Sequence, residues 1–181
     1  MKALITGGTG FIGARLFKFL ISNGHSVRIV SRNPIKDIED NVVCDLKDQQ
    51  LDLSAFEGIS HIFHLAAYTH DLSLSKKNED QYRKINVDAT VNLAERAIKS
   101  EIKNFTFISS VKAGSANNYE KILLKNDEPQ GIYGQTKREA EIRLIELVKG
   151  SDMRLEILRP ALVYGPGVKG NIELMMNGIR K

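Results

Sequence analysis

The feature that most constrains this chain is a glycine cluster, Gly7-Gly8-Thr9-Gly10-Phe11-Ile12-Gly13. It lies between a short apolar run, Lys2-Ala3-Leu4-Ile5-Thr6, and an amphipathic stretch from Phe11 to Ile21. The order reads as strand, glycine turn, helix. Gly8, Gly10 and Gly13 satisfy the spacing G-x-G-x-x-G, and Gly7, Gly10 and Gly13 satisfy the wider G-x-x-G-x-x-G. Such a turn brings backbone N–H groups to a helix N-terminus, where unpaired donors and the helix dipole attract phosphate. With a strand before it and a helix after it, the cluster points to a dinucleotide pyrophosphate, and a tight βα turn without ligand is the alternative.

The rest of the chain repeats the same alternation. Short β-branched runs predict strands at Lys2–Thr6, Ser26–Val30, Val42–Cys44, His61–Leu65, Phe105–Ser109 and Leu155–Arg159. Helical patterns fall at Phe11–Ser22, Asp80–Ser100 and Tyr133–Val148. Successive βα units predict an α/β, Rossmann-type doubly wound parallel sheet with helices on both faces, as one domain over residues 1–181. The last two helices carry more apolar residues than one stripe on a sheet needs. Helices 80–100 and 133–148 are therefore expected to bury a second face, in a homodimer or under a further part of the same chain. Val111–Ile132 is expected to be a long loop, and long loops in compact domains are often functional.

A formal net charge of +4 would permit nucleic-acid binding, but the basic residues are scattered and form no aromatic-interleaved stripe, so no nucleic-acid partner is expected. No run approaches the roughly 18 apolar residues of a membrane span, and no signal-like segment precedes the first strand, so a cytoplasmic protein without a membrane partner is expected. The single Cys44, within an apolar run, reads as a buried structural thiol. Lys76-Lys77 reads as part of a solvated loop, Asp71 to Asp80.

Tyr133 and Lys137 stand four apart at the start of a helix, so both side chains project from one face. An ammonium beside a phenol favours the phenolate and draws its pKa toward neutrality, which would make a base of the tyrosine. Ser109-Ser110 ends a strand at the carboxyl edge of the sheet, where ligands of such folds bind.

With these residues in view, the chain resembles the extended short-chain dehydrogenases/reductases, in the NAD-dependent epimerase/dehydratase branch that acts on nucleotide-sugars. The matching segments are Thr6 to Gly13, Asp45-Leu46, His64-Leu65-Ala66-Ala67, Asn86-Val87 with Thr90 and Asn92-Leu93, Ser109-Ser110, Tyr133 to Lys137, Arg159-Pro160, and Val163 to Gly167. The resemblance implies catalytic roles for Ser110, Tyr133 and Lys137: Tyr133 as acid/base, Lys137 on the nicotinamide ribose, Ser110 orienting the reacting sugar oxygen. It implies a cofactor site from Gly7, Gly8, Thr9, Gly10, Phe11, Ile12 and Gly13 at the turn, Asp45 and Leu46 at the adenine, and Leu65, Ala66 and Ala67 beside the ribose and phosphates. Asn86, Ser109, Pro160, Tyr133 and Lys137 complete it toward the nicotinamide. The implied reaction is that of a UDP-glucose 4-epimerase-like enzyme on a UDP-sugar, with NAD or NADP as cofactor. An NADPH-dependent ketone reductase of the same fold and a non-catalytic dinucleotide-binding module are the alternatives.

Two departures qualify the resemblance. Many relatives using NAD carry an Asp at the end of the second strand, whereas here Val30 is followed by Ser31-Arg32-Asn33. Arg32 offers only donors and suits a 2′-phosphate, so the expectation tilts toward NADP, with Arg15 either assisting or facing solvent. Family members also continue well beyond Pro166, so the chain is expected to lack the region that holds the nucleotide-sugar, as a truncated or a naturally short protein.

Other residues are discounted. His61 and His64 fall on opposite faces of a strand with His70 in a loop, so no metal site is expected. Met175 and Met176 read as helix packing, and the pairs Glu139/Glu141 and Asp127/Glu128 read as solvated charge.

Overall fold

The computed structural model describes residues 1–69, 76–114, 128–168 and 178. Six strands, β1 (Lys2–Thr6), β2 (Ser26–Ser31), β3 (Asn41–Val43), β4 (His61–His64), β5 (Asn104–Ile108) and β6 (Arg154–Leu158), form one sheet in the order β3-β2-β1-β4-β5-β6. Every pairing is parallel, as shown by Ile5 opposite Ile29 on one side of β1 and opposite Phe63 on the other. The order reverses between β1 and β4, and ligands of open parallel sheets bind above such a switch point, at the carboxyl ends of the strands.

Strand alternation splits the core in two. Ala3, Ile5, Val27 and Ile29 point to the face covered by α1 (Phe11–Ser22), where Leu20, Leu16 and Phe17 meet them. Leu4, Ile62, Phe105 and Phe107 point to the opposite face. That face is covered by α3 (Ala89–Lys99) through Leu93, Ala94 and Ala97, and by α4 (Gly131–Val148) through Ala140 and Leu144. The strands are buried on both faces, which explains their unbroken apolar runs. At the end of α1, Gly24 N donates to Ile21 O and His25 N to Leu20 O, a Schellman closure that returns the chain to β2.

Three expectations change. Lys76 and Lys77 do not lie in a loop: they begin α2 (Lys76–Arg83), which continues through a π-turn (Lys84–Asp88) into α3. Their charged run carries no apolar period, so pattern alone starts the helix at Asp80. The segment after β5 is not wholly loop, because Val111–Ala113 form a 3₁₀ turn and α4 begins at Gly131, two residues before the expected Tyr133. The remainder of Val111–Ile132, from 115 to 127, lies outside the described residues, as do His70, Asp127, Met175 and Met176. The surplus apolar surface of α3 and α4 is used in part within the chain, where the two helices pack side by side. Among the described residues no helix is long and apolar enough to cross a membrane, and no cluster of side chains is arranged to hold a metal ion.

Candidate active site

A crevice of about 850 Å³ opens above the switch point. One wall is the glycine turn. Gly7 has φ +71, and Gly10 N donates back to Gly7 O at 3.0 Å, which curls the turn over the start of α1. Gly13 sits beneath it, so close that a Cβ there would lie 2.2 Å from Gly7 O. The turn is thereby held against the start of α1, whose first amides have no partner within the helix, a fit for a diphosphate. Of the expected turn residues, Gly7, Thr9, Gly10, Phe11, Ile12 and Gly13 line the crevice, whereas Gly8 does not. Gly8 packs instead on Ile29, whose side-chain carbons would stand 3.0 Å from a Cβ there.

The far wall at the β2 and β3 ends carries Ser31, Arg32, Asp45 and Leu46. Ser31 Oγ donates to Asn33 O at 2.7 Å, and Asp45 caps the Lys47 amide at 3.1 Å. Lys47 and Cys44 also line this end. The Cys44 thiol is buried, and burial together with Asp45 raises its pKa above the ordinary value. Arg15 neither faces the crevice nor stands alone in solvent: its guanidinium packs over the Phe11 ring at 3.8 Å and donates to Phe11 O and Pro166 O.

The opposite end gathers Leu65, Ala66, Ala67, Ser109, Ser110, Tyr133, Lys137 and Pro160 around the same opening. Parallel strands explain this convergence, because β4, β5 and β6 all deliver their C-terminal residues to one edge. Ser110 Oγ accepts from Lys112 N at 3.2 Å and caps the 3₁₀ turn. Ser109 is 2 % exposed, and its Oγ is the one buried side-chain polar atom among the described residues without a hydrogen-bond partner. Such an orphan hydroxyl beside a crevice fits a site built for a polar ligand. Tyr68, Thr69, Gln81 and Ile85 also line this end; their sequence carries no signal for it, since they are brought in by the loop after β4, by α2 and by the π-turn.

Lys137 departs from expectation in geometry. It is 1 % exposed, its Nζ donates to Ile108 O at 2.7 Å, and it lies 4.4 Å from the Phe107 ring centroid but 6.0 Å from that of Tyr133. Burial pushes its pKa down to about 7, against the opposing pull of Glu141. The Tyr133 phenol is raised above its ordinary value by burial and by Tyr82, not lowered by the lysine. The reason is direction: the Lys137 amine is engaged with a carbonyl and an aromatic face rather than with the phenol, which burial keeps protonated at neutral pH.

Two further residues behave differently from their sequence reading. Asn86 is fully buried and does not line the crevice. Its Oδ1 accepts from Tyr68 N at 2.7 Å, and its Nδ2 donates to Tyr68 O at 3.1 Å and to Thr136 Oγ1 at 3.2 Å. Glu141 is not solvated charge but 0 % exposed, and pairs through both oxygens with Arg159, whose Nε donates at 2.8 Å. The partner stands 18 residues along the chain, so no local pattern announces the pair.

The NAD dependent epimerase/dehydratase family profile matches residues 3–181. A UDP-glucose 4-epimerase of Vibrio cholerae is 34 % identical over 98 % of this chain and 56 % of its own length. A 3 beta-hydroxysteroid dehydrogenase/Delta 5-->4-isomerase of Mycobacterium tuberculosis is 31 % identical over 92 % of this chain and 48 % of its own. The crystal structure of a UDP-glucuronic acid 4-epimerase from Bacillus cereus in complex with NAD superposes with a TM-score of 0.76 at 26 % identity, over 92 % of this chain and 57 % of that one. The chain thus spans about half the length of the curated relatives it matches. A glycine turn, a six-stranded parallel sheet and a profile match over nearly every residue agree: the chain belongs to the NAD dependent epimerase/dehydratase family.

Proposed function

We propose that this chain carries the cofactor-binding and acid/base half of a nucleotide-sugar epimerase that acts by reversible hydride transfer, with a UDP-sugar as substrate. The observation that carries the reading is the single crevice lined at one wall by the glycine turn and at its inner end by Ser110, Tyr133 and Lys137. The similarity to a UDP-glucose 4-epimerase supports the substrate class.

In this reading Gly7 and the turn residues from Thr9 to Gly13 hold the diphosphate, with Gly8 packing the turn on Ile29, while Asp45 and Leu46 face the adenine. Leu65, Ala66 and Ala67 flank the ribose and phosphates, and Ser109 and Pro160 face the nicotinamide end. A nicotinamide bound there would supply reversible hydride exchange at a sugar carbon, which is what inversion through a keto sugar requires. Tyr133 exchanges a proton with the reacting sugar oxygen, and Ser110 Oγ hydrogen-bonds that oxygen. Lys137 leaves the Ile108 carbonyl for the ribose side, bringing its positive charge to the phenol and lowering the pKa that burial raises. Arg32, exposed at the mouth, favours a 2′-phosphate and with it NADP over NAD. A homodimer through helices 80–100 and 133–148, in the cytoplasm, completes the reading; sedimentation velocity distinguishes it from a monomer.

A second reading, a hydroxyl or ketone oxidoreductase of the same fold, draws support from the similarity to a hydroxysteroid dehydrogenase. The two separate on incubation of the protein with NAD⁺ or NADP⁺ and either UDP-glucose or a 3β-hydroxysteroid. The 4-epimer without net cofactor reduction is the expected result. Accumulating reduced cofactor with the steroid selects the second reading, and dinucleotide binding without either product selects a binding module.

A further inference from the structure

The inner edge of β4 carries a hydrogen-bond chain that the proposed chemistry does not use. His64 is 1 % exposed and lies between two threonines, with Nδ1 2.7 Å from Thr6 Oγ1 and Nε2 2.8 Å from Thr90 Oγ1. Thr90 Oγ1 donates to Asn86 O at 2.9 Å, so its proton is committed and it must accept from His64. Nε2 therefore bears the hydrogen, and in a neutral ring Nδ1 must accept from Thr6. Thr6 Oγ1 in turn accepts from the Ala66 amide at 3.2 Å. Every donor meets one acceptor along a single direction, from the Ala66 amide to Thr6 to the ring, and from the ring to Thr90 to the Asn86 carbonyl. Burial, reinforced by Lys137, lowers the ring pKa to about 3, so the neutral form this pattern requires persists at every physiological pH.

The chain joins three pieces of the crevice. Thr6 is the last residue of β1, immediately before the glycine turn. Ala66 belongs to the crevice wall that follows β4. Asn86, in the π-turn, grips both the amide and the carbonyl of Tyr68, and touches Thr136, the neighbour of Lys137 on α4. Ridges of apolar contact hold helices on a sheet but tolerate small sliding, whereas a directional chain with one allowed tautomer does not.

We propose that His64 is a positioning residue: through Thr6 on one side and Thr90 on the other it holds the Leu65–Thr69 wall in register with both the glycine turn and the Asn86 clamp. Its consequence for binding rests on the dinucleotide reading of the crevice. Thr90→Val keeps the shape and removes both the acceptor for His64 and the donor to Asn86; Thr90→Ser keeps both. Amide hydrogen exchange in Thr90→Val should accelerate about tenfold at Ala66 and Tyr68 relative to Leu4 and Ile5 of β1, with Thr90→Ser close to wild type. Titration with NADH and NADPH should show about tenfold weaker binding for Thr90→Val. Uniform acceleration, or none, overturns the positioning role. Failure of the wild type to bind either dinucleotide overturns the crevice reading instead, and exchange then judges His64 alone. Should Thr90→Val not fold, the wild-type imidazole ¹⁵N spectrum decides: an unchanging Nε2–H tautomer between about pH 5 and 8 is expected, and an Nδ1–H tautomer or a titration in that range overturns the proposal.

Discussion

Replacing Gly13 by alanine tests the glycine turn at its tightest point. A Cβ built there meets Gly7 O at 2.2 Å, and Gly7 C and Gly8 Cα at 2.9 Å. The first contact is about 0.8 Å shorter than any that real methyl groups make, and all three neighbours are backbone, so no side chain can swing aside. Either α1 moves away from β1 or the turn opens. Overpacking of this kind costs about 3 kcal/mol, which for a domain of this size is a fall of about 10 °C in Tm. An opened turn also withdraws amides from the phosphates, and losing two charge-assisted hydrogen bonds weakens NAD(H) by more than about a hundredfold. Gly10→Ala is the control, because its Cβ would meet Gly7 O at 3.2 Å, a conflict removed by a few tenths of an ångström. It controls for stability, with a fall in Tm of no more than about 3 °C expected, and not for affinity, because the second glycine of the motif lets the backbone approach the pyrophosphate. Thermal unfolding and nicotinamide fluorescence titration read both quantities. Wild-type Tm and affinity in Gly13→Ala would refute the close packing of turn on helix.

Three further outcomes rest on the charged groups. Lys137 has a folded pKa of about 7 against an ordinary 10.5, so the unfolded chain binds more protons between those values. Stability should therefore rise by about 3–5 kcal/mol from pH 7 to pH 10, a slope that denaturant titrations should find missing in Lys137→Met. Glu141→Gln removes the carboxylate that Arg159 grips in a buried pair and should destabilise the fold by about 3 kcal/mol, measured by urea unfolding. Arg32→Glu should weaken NADPH by at least about tenfold and NADH little, read by paired titrations.

The extent to which the chain can be read without coordinates differs by element. β1 and α1 match their predicted bounds at both ends, because the apolar run, the glycines and Gly24 each carry a local signal. The other strands shift by one residue at most at either end, since apolar runs mark a buried strand but not its last paired amide. Lys76 to Glu79 escaped because a helical turn made of charged and polar residues has no apolar period to show. Where motif residues lie at strand ends, as with Ser110 and Pro160, the parallel sheet brings them to the crevice, and the motif alone is enough to place them there. What could not be read was direction: whether Lys137 turns toward Tyr133 or toward the Ile108 carbonyl, and whether Asn86 faces the crevice or the Tyr68 backbone. Those choices are set by hydrogen bonds between segments 18 or more residues apart. Glu141 shows the same limit, since the guanidinium that pairs with it in the interior belongs to Arg159, just past the end of β6.

The most direct measurement is a crystal structure of the protein soaked with NAD⁺ or NADP⁺. The diphosphate is expected on the amides of the glycine turn, the nicotinamide beside the Tyr133 hydroxyl, and Lys137 Nζ released from the Ile108 carbonyl. A dinucleotide bound elsewhere, or one in the crevice whose nicotinamide lies away from Tyr133 while Lys137 keeps its present bond, would contradict the proposed function.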